Sequence, residues 1–306
     1  MMATLRKDLV KYKTLFIFLL PCTVLLILFN YVPMFGIVIS FKDYKITRGI
    51  LGSNWVGLKH FINFFNTPSA FLVVRNTLLL NIFSLLWGFP LPIIFAIMLC
   101  EIKSNRYRKV IQTISYLPYF ISAVVVASLA HMLLSIDRGV VNAILGLFGV
   151  EPILFLIEKS YFRTIYVVID IWRGLGWNAI IYIAAVIGID TQLYEAASID
   201  GAGTLKRIWH VTLPGIKSTI IILLLLSIGR MMSASFELVS LLQKPITYEV
   251  SDNIATYVYR RGIANATGIP EFSFTAAIGF FQSVVNITLL ATANFLSRKY
   301  SETSLF

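Results

Sequence analysis

The sequence predicts an all-α membrane protein of six transmembrane helices, and three observations predict it. Hydrophobic residues make up 58% of the 306 positions and charged residues only 13%, for a mean hydropathy of +0.80, well above a water-soluble domain. Six apolar stretches each approach the ~20 residues that carry a helix across a hydrocarbon core of about 30 Å. Lys and Arg gather in the segments between them. A soluble enzyme and a disordered chain are both excluded, because so apolar a chain must bury itself or enter lipid.

The first stretch runs from about Thr14 to Phe41 without a charge and follows the basic residues Arg6, Lys7, Lys11 and Lys13. It is too long for a signal-peptide core and has no small-residue cleavage site, so it is expected to stay as an anchor. Leu19-Leu20-Pro21-Cys22 has the outline of a lipid acylation site, but the proline before the cysteine argues against that. The second span is placed at Asn76 to Cys100, the third at Val110 to Ile136, the fourth at Thr164 to Ile189, the fifth at Ser218 to Leu242 and the sixth at Ser273 to Leu296. Residues 14–296 thus read as one transmembrane domain, flanked by an N-terminal segment (1–13) and a C-terminal tail (297–306). Pro21, Pro33, Pro90, Pro92 and Pro118 predict kinks, which a bundle tolerates when neighbours satisfy the freed carbonyls.

Orientation follows from the loops. If the amino terminus is cytoplasmic, Lys and Arg are about twofold denser in the inner segments than in the outer ones, with the strongest clusters beside the first three spans. Both termini are therefore expected inside a bacterial cell membrane. The net charge of +11 then reads as orientation and contact with lipid headgroups; no long basic block is present to suggest nucleic acid.

No catalytic constellation is visible. Cys22 and Cys100 both lie in apolar stretches, which argues against a disulfide framework or a metal site. His60, His131 and His210 lie on three different segments without a carboxylate at ligand spacing, and read as packed or surface histidines. The chain also has no Gly-rich loop ending in Gly-Lys-Ser/Thr to cradle ATP phosphates, so any hydrolysis, with its ATP and Mg, belongs to partner subunits.

The most informative segment joins the fourth and fifth spans, residues 190–217. Tyr194-Glu195-Ala196-Ala197-Ser198-Ile199 is a helix-forming run, and Gly201 with Gly203 breaks it after Asp200. Leu205, Ile208 and Trp209 then recur at helical spacing as the apolar face of a second short helix, which Pro214 is expected to close. Periodicity alone leaves open a plain connector resting on headgroups.

The residue pattern goes further. Glu195-Ala196-Ala197, then Asp200-Gly201-Ala202, then Leu213-Pro214 resembles the signature loop of binding-protein-dependent ABC importer permeases. Trp55-Val56-Gly57-Leu58 with Phe61 and Phe64 is similar to a segment of carbohydrate permeases. Residues 254–262 and 277–283 resemble the branch serving oligosaccharides and polysaccharide fragments.

This resemblance implies a type I ABC importer permease fold with a cytoplasmic coupling helix seated on an ATPase. Glu195, Ala196, Ala197, Asp200, Gly201, Leu213 and Pro214 would form or support that contact: small residues allow close approach and one charge sets register. It further implies a second homologous permease in a heterodimer, two ABC ATPase subunits, an extracellular sugar-binding protein and a carbohydrate substrate. An ion- or proton-coupled secondary transporter and a membrane scaffold are the alternatives from other classes.

Ionisable groups inside spans generally face the bundle or an aqueous cavity. Asp170, Arg173 and Trp177 share one face of the fourth span, and Arg230, Ser233 and Glu237 share a stripe of the fifth, with Arg230 near its middle. Two readings fit: mutual neutralisation of the four charges, or a sugar pathway in which Trp172, Arg173, Trp177, Asn178, Arg230 and Glu237 supply ring faces and polar groups. An excess of arginine over acid in such a pathway would favour an acidic sugar.

Overall fold

The computed structural model describes residues 11–264, 268, 270–301 and 304–305. Expectations for residues 1–10 and for 302, 303 and 306 of the tail fall outside the described residues. Within them, five helices are long and apolar enough to span a membrane, and six if a helix pair bent by 98° counts as one span. The chain forms two compact units, one of Met1–Thr67 with Arg261–Phe281, the other of Pro68–Arg260 with Gln282–Phe306.

The first unit carries the first span, Lys13–Phe41. Its α-helical run Lys13–Leu26 passes through a π-turn at Ile27–Tyr31 before Val32–Met34. The turn is tied to Pro33: Val32 N–H bonds the carbonyl of Ile27 five residues back, a wider turn that accommodates the proline ring. The span is followed by a two-residue antiparallel ribbon, Lys42–Asp43 against Asn54–Trp55. Trp55 lies flat on Phe41 at 5.7 Å, and Phe61 and Phe280 pack on the same Phe41 ring. His60 is buried and bonds the Lys42 carbonyl.

In the second unit the second span runs Pro68–Cys100, starting about two turns earlier than expected. The third consists of Asn105–Phe120 and Ala123–Leu133, bent by 98° just after Pro118. Ser122 restarts the helix by accepting the N–H of Val125. The fourth, Lys159–Ile187, is the axis of this unit. One cluster gathers Leu80, Ala127, Ala130, Phe162, Val167 and Val239, and a second gathers Ile93, Ala96, Ala179, Ile183 and Ile216. Small residues allow the close approach: a Cβ on Gly176 would fall on the backbone of Ser115 in the third span. In lipid, such packing replaces the hydrophobic drive that holds a soluble core.

The fifth span departs most from expectation. It runs Thr204–Ile228 rather than 218–242, so the Leu205 to Trp209 run is its first part and not a separate helix. Pro214 does not close anything, because a second π-turn, Ile208–Thr212, lets Leu213 N–H bond the Ile208 carbonyl. The helix continues as Leu213–Ile228 and ends at Gly229. A turn and extended segment follow, and Ser235 caps a short separate helix, Phe236–Leu242. Arg230, Ser233 and Glu237 therefore do not share a helical stripe, and Arg230 stands beyond the end of the span. The sixth helix is Phe272–Ser301.

Candidate functional site

Two places in the second unit concentrate the predicted residues: a cavity beside the fourth span, and the segment between the fourth and fifth spans.

The cavity has a volume of about 680 Å³, within the usual ~300–1,000 Å³ of ligand pockets. The second span contributes Asn81 and Ser84, the fourth contributes Tyr166, Asp170, Trp177 and Asn178, and the fifth contributes Ser227 at its end. Arg230, Ser233 and Ser235 join the wall from the unwound segment after Gly229. Trp177 lies parallel to Tyr119 with ring centroids 4.4 Å apart, and Phe120 meets it edge-on. The bend of the third span thus supplies the aromatic backing of the cavity wall.

Of the groups that the sequence singles out for the fourth and fifth spans, the cavity brings together Asp170, Trp177, Asn178, Arg230 and Ser233 and leaves Trp172, Arg173 and Glu237 outside. Trp172 is 47% exposed, since two residues from Asp170 is about 200° round the helix. Arg173 is half-buried with Nε enclosed and does not reach the cavity. Glu237 is exposed on the short helix beyond the break. Among the described residues no ion pair joins Asp170, Arg173, Arg230 or Glu237, although the Arg173 charge acts on Asp170 from one turn away along the helix. Sequence reasoning misses Asn81 and Ser84, although polar residues three apart in an apolar run mark one helical face.

In the loop, Asp190 caps the Thr191–Ile199 helix by accepting the Gln192 N–H at 2.9 Å. The far end closes on Gly201, whose φ of +74° is costly for any residue with a Cβ. Ala202 N–H bonds the Ala197 carbonyl and Gly201 N–H bonds that of Ser198, the paired bonds of a Schellman cap. The expected break at Gly201 is therefore a built turn. Arg207 reaches Ser198 at 3.3 Å and Glu101 at 3.7 Å. Tyr194 meets Thr212 at 3.0 Å, locking the helix to the π-turn of the fifth span.

Most of this helix remains open. Glu195, Ala196 and Asp200 are exposed and Ala197 is half-buried. Among the described residues Glu195 has no ion-pair partner. Ile199 is 87% exposed, with Leu193, Leu205 and Trp209 also open. Leu213 is half-buried and Pro214 exposed, directly after the π-turn of the fifth span. The arrangement has the form of a docking surface: a short helix with open apolar residues and the exposed carboxylates of Glu195 and Asp200, tied to a long span.

Residues 88–302 match the family described as the binding-protein-dependent transport system inner membrane component. The chain belongs to this family. This permease is 44% identical over 298 residues, 97% of its own length and 92% of the relative's, to the polygalacturonan/rhamnogalacturonan transport system permease protein YteP of Bacillus subtilis (strain 168). It is 40% identical to protein LplB of the same organism, across its whole length and 93% of LplB. Among solved structures it matches a subunit of a bacterial ABC transporter involved in the import of the acidic polysaccharide alginate, with a TM-score of 0.87, 38% identity and coverage of 97% of this chain and 99% of that one. A bacterial alginate transporter in complex with an alginate pentasaccharide-bound periplasmic protein matches equally well, with a TM-score of 0.87. The chain is a multi-pass transporter subunit and not an enzyme, and membership of the family displaces the secondary-carrier and scaffold readings.

Proposed function

We propose that this permease forms one half of the membrane passage of an ABC importer for acidic oligosaccharides. The observation that carries this reading is a pairing within one unit: a cavity edged by Arg230 and Trp177, and a helix bearing exposed Glu195 that is hydrogen-bonded to the base of the span ending at that cavity. The relatives add a substrate class, since galacturonan-type polymers and alginate appear in their descriptions.

In this reading a second homologous permease completes a heterodimer in the bacterial cell membrane, with both termini cytoplasmic. Two ABC ATPases, holding ATP and Mg, seat the coupling loop of residues 190–217 through Glu195, Ala196, Ala197, Asp200 and Gly201. Closure of the ATPase pair moves that loop, and Tyr194 with Leu213 and Pro214 pass the displacement to the fifth span. An extracellular sugar-binding protein delivers the oligosaccharide, whose rings meet Trp177 while Arg230 and Asn178 bond carboxylate and hydroxyl groups. Trp172, Arg173 and Glu237 are left out of the passage within this chain.

The test is reconstitution of the complete importer in vesicles with binding protein. Uronate oligosaccharide should stimulate ATP hydrolysis and accumulate only with ATP, and Glu195→Ala should abolish both. Accumulation driven by an ion gradient without ATP would overturn the reading.

A further inference from the structure

The unwound segment after Gly229 is held by two amides of the sixth helix. Helix-breaking backbone within a membrane is stable only where its freed N–H and C=O groups find partners. Asn286 Oδ1 accepts the Met232 N–H at 2.9 Å, and Gln282 Nε2 donates to the Met232 carbonyl at 2.9 Å. Because a backbone donor meets one amide and a backbone acceptor the other, the orientation of both amides is dictated. Gln282 and Asn286 are four residues apart, so one helical face presents both. Met232 itself is buried. Gly229 is pressed on Leu290, which a Cβ would meet at 3.1 Å.

The same amides act on Ser233. Asn286 Nδ2 donates to its Oγ at 3.0 Å and Gln282 Nε2 at 3.3 Å. With both lone pairs engaged, the hydroxyl has only its proton left to offer. Arg230, three residues earlier on the cavity wall, is likewise a donor without an acceptor function, and it has no ion-pair partner among the described residues. An edge whose side chains only donate, one of them carrying a full positive charge, favours a charged acceptor, and among sugar substituents a carboxylate over a neutral hydroxyl.

We infer that Gln282 and Asn286 are positioning residues for acidic-sugar specificity: by clamping Met232 and turning Ser233 into a donor, they make the Arg230 to Ser233 edge a carboxylate-reading subsite. This inference rests on the proposed role of the cavity as the substrate site. Without the amides the segment is free to continue as helix, which rotates successive side chains by about 100° and disperses the edge.

The experiment measures uptake KM and kcat in the reconstituted importer for a uronate oligosaccharide and for its methyl ester, which keeps the sugar and removes the charge. The binding protein's own preference is common to all variants and cancels between them. Gln282→Met and Asn286→Leu are each expected to raise the ratio of acid KM to ester KM about tenfold, and Ser233→Ala several-fold. A purely structural role would lower kcat or yield for both sugars and leave that ratio in place, which would overturn the inference. Should the amide variants fail to fold, Ser233→Ala alone decides it. If Arg230→Ala shifts the ratio while Gln282→Met, Asn286→Leu and Ser233→Ala do not, this inference fails and the cavity reading stands. If Arg230→Ala leaves the ratio unchanged, both fall together.

Discussion

The hydroxyl of Tyr194 lies 3.0 Å from that of Thr212, and this bond joins the Thr191–Ile199 helix to the π-turn in the first part of the fifth span. Thr212 is buried at 2% exposure, so the bond is shielded from water on one side. It provides a direct mechanical link between the exposed Glu195 surface and the span that ends beside the cavity.

Tyr194→Phe and Thr212→Val are expected to reduce uptake several-fold while leaving binding-protein docking in place. Each removes a bond of about 1 kcal/mol, and the double variant should be no worse than the poorer single one, because both act on one link. Uptake rates and ATP hydrolysis measured across the four-member cycle test this, and additive losses would sink it.

Gly201 is constrained by conformation and not by space: its φ is +74°, yet a Cβ at this position would have nothing within 4 Å. Gly201→Asn should retain much of the coupling, since asparagine tolerates the left-handed region, whereas Gly201→Val should lose it at a conformational cost of about 1–2 kcal/mol. ATPase stimulation by loaded binding protein is the measurement.

Trp177→Ala removes the ring that Tyr119 backs at 4.4 Å. Loss of a stacking surface in a sugar site is expected to raise KM roughly tenfold, in keeping with the ~0.5–1.5 kcal/mol an aromatic contact supplies, with Trp177→Phe intermediate. An unchanged KM would remove Trp177 from the passage.

Gly176→Leu should be the most damaging of these changes to folding, because even a Cβ there falls on the Ser115 backbone, which cannot swing aside as a side chain does. Overpacking of this kind costs about 1–3 kcal/mol or more. A lowered Tm of the purified complex in detergent, with poor recovery, is the expected outcome.

Lys159 donates to Glu249 at 2.5 Å and holds its carboxyl below the ordinary carboxylate range. For an acid depressed on folding, the contribution is present above the unfolded pKa and is lost as pH falls through the folded one. The difference in thermal stability between wild type and Lys159→Met should therefore be constant near neutral pH and vanish on strong acidification. A difference that instead appears only in acid would contradict the pairing.

Much of this protein is legible in its sequence because the lipid phase imposes a one-dimensional rule: about 20 apolar residues make a span. That rule locates five of the spans to within about two turns, and glycine chemistry locates the turn at Gly201. It fails at the fifth, where Pro214 suggests a stop that a π-turn removes and where the apolar run through Leu225 and Leu226 conceals the break at Gly229. Asp170, Trp177, Asn178 and Arg230 are legible as intramembrane polar groups, but Asn81, Ser84 and the donor role of Ser233 are not. Small polar residues are cheap enough in a helix to carry no signal alone.

Sequence by itself determined the class, the approximate place of five spans, the lack of an ATP-cradling motif in this chain and the motif around Glu195, because each depends on residues near one another along the chain. Only the tertiary structure decided which charges share a cavity, that Tyr119 backs Trp177, and that Gln282 and Asn286 hold Met232. Those contacts join segments some 50 residues or more apart, and their geometry depends on where helices bend and which backbone groups a break leaves to be satisfied.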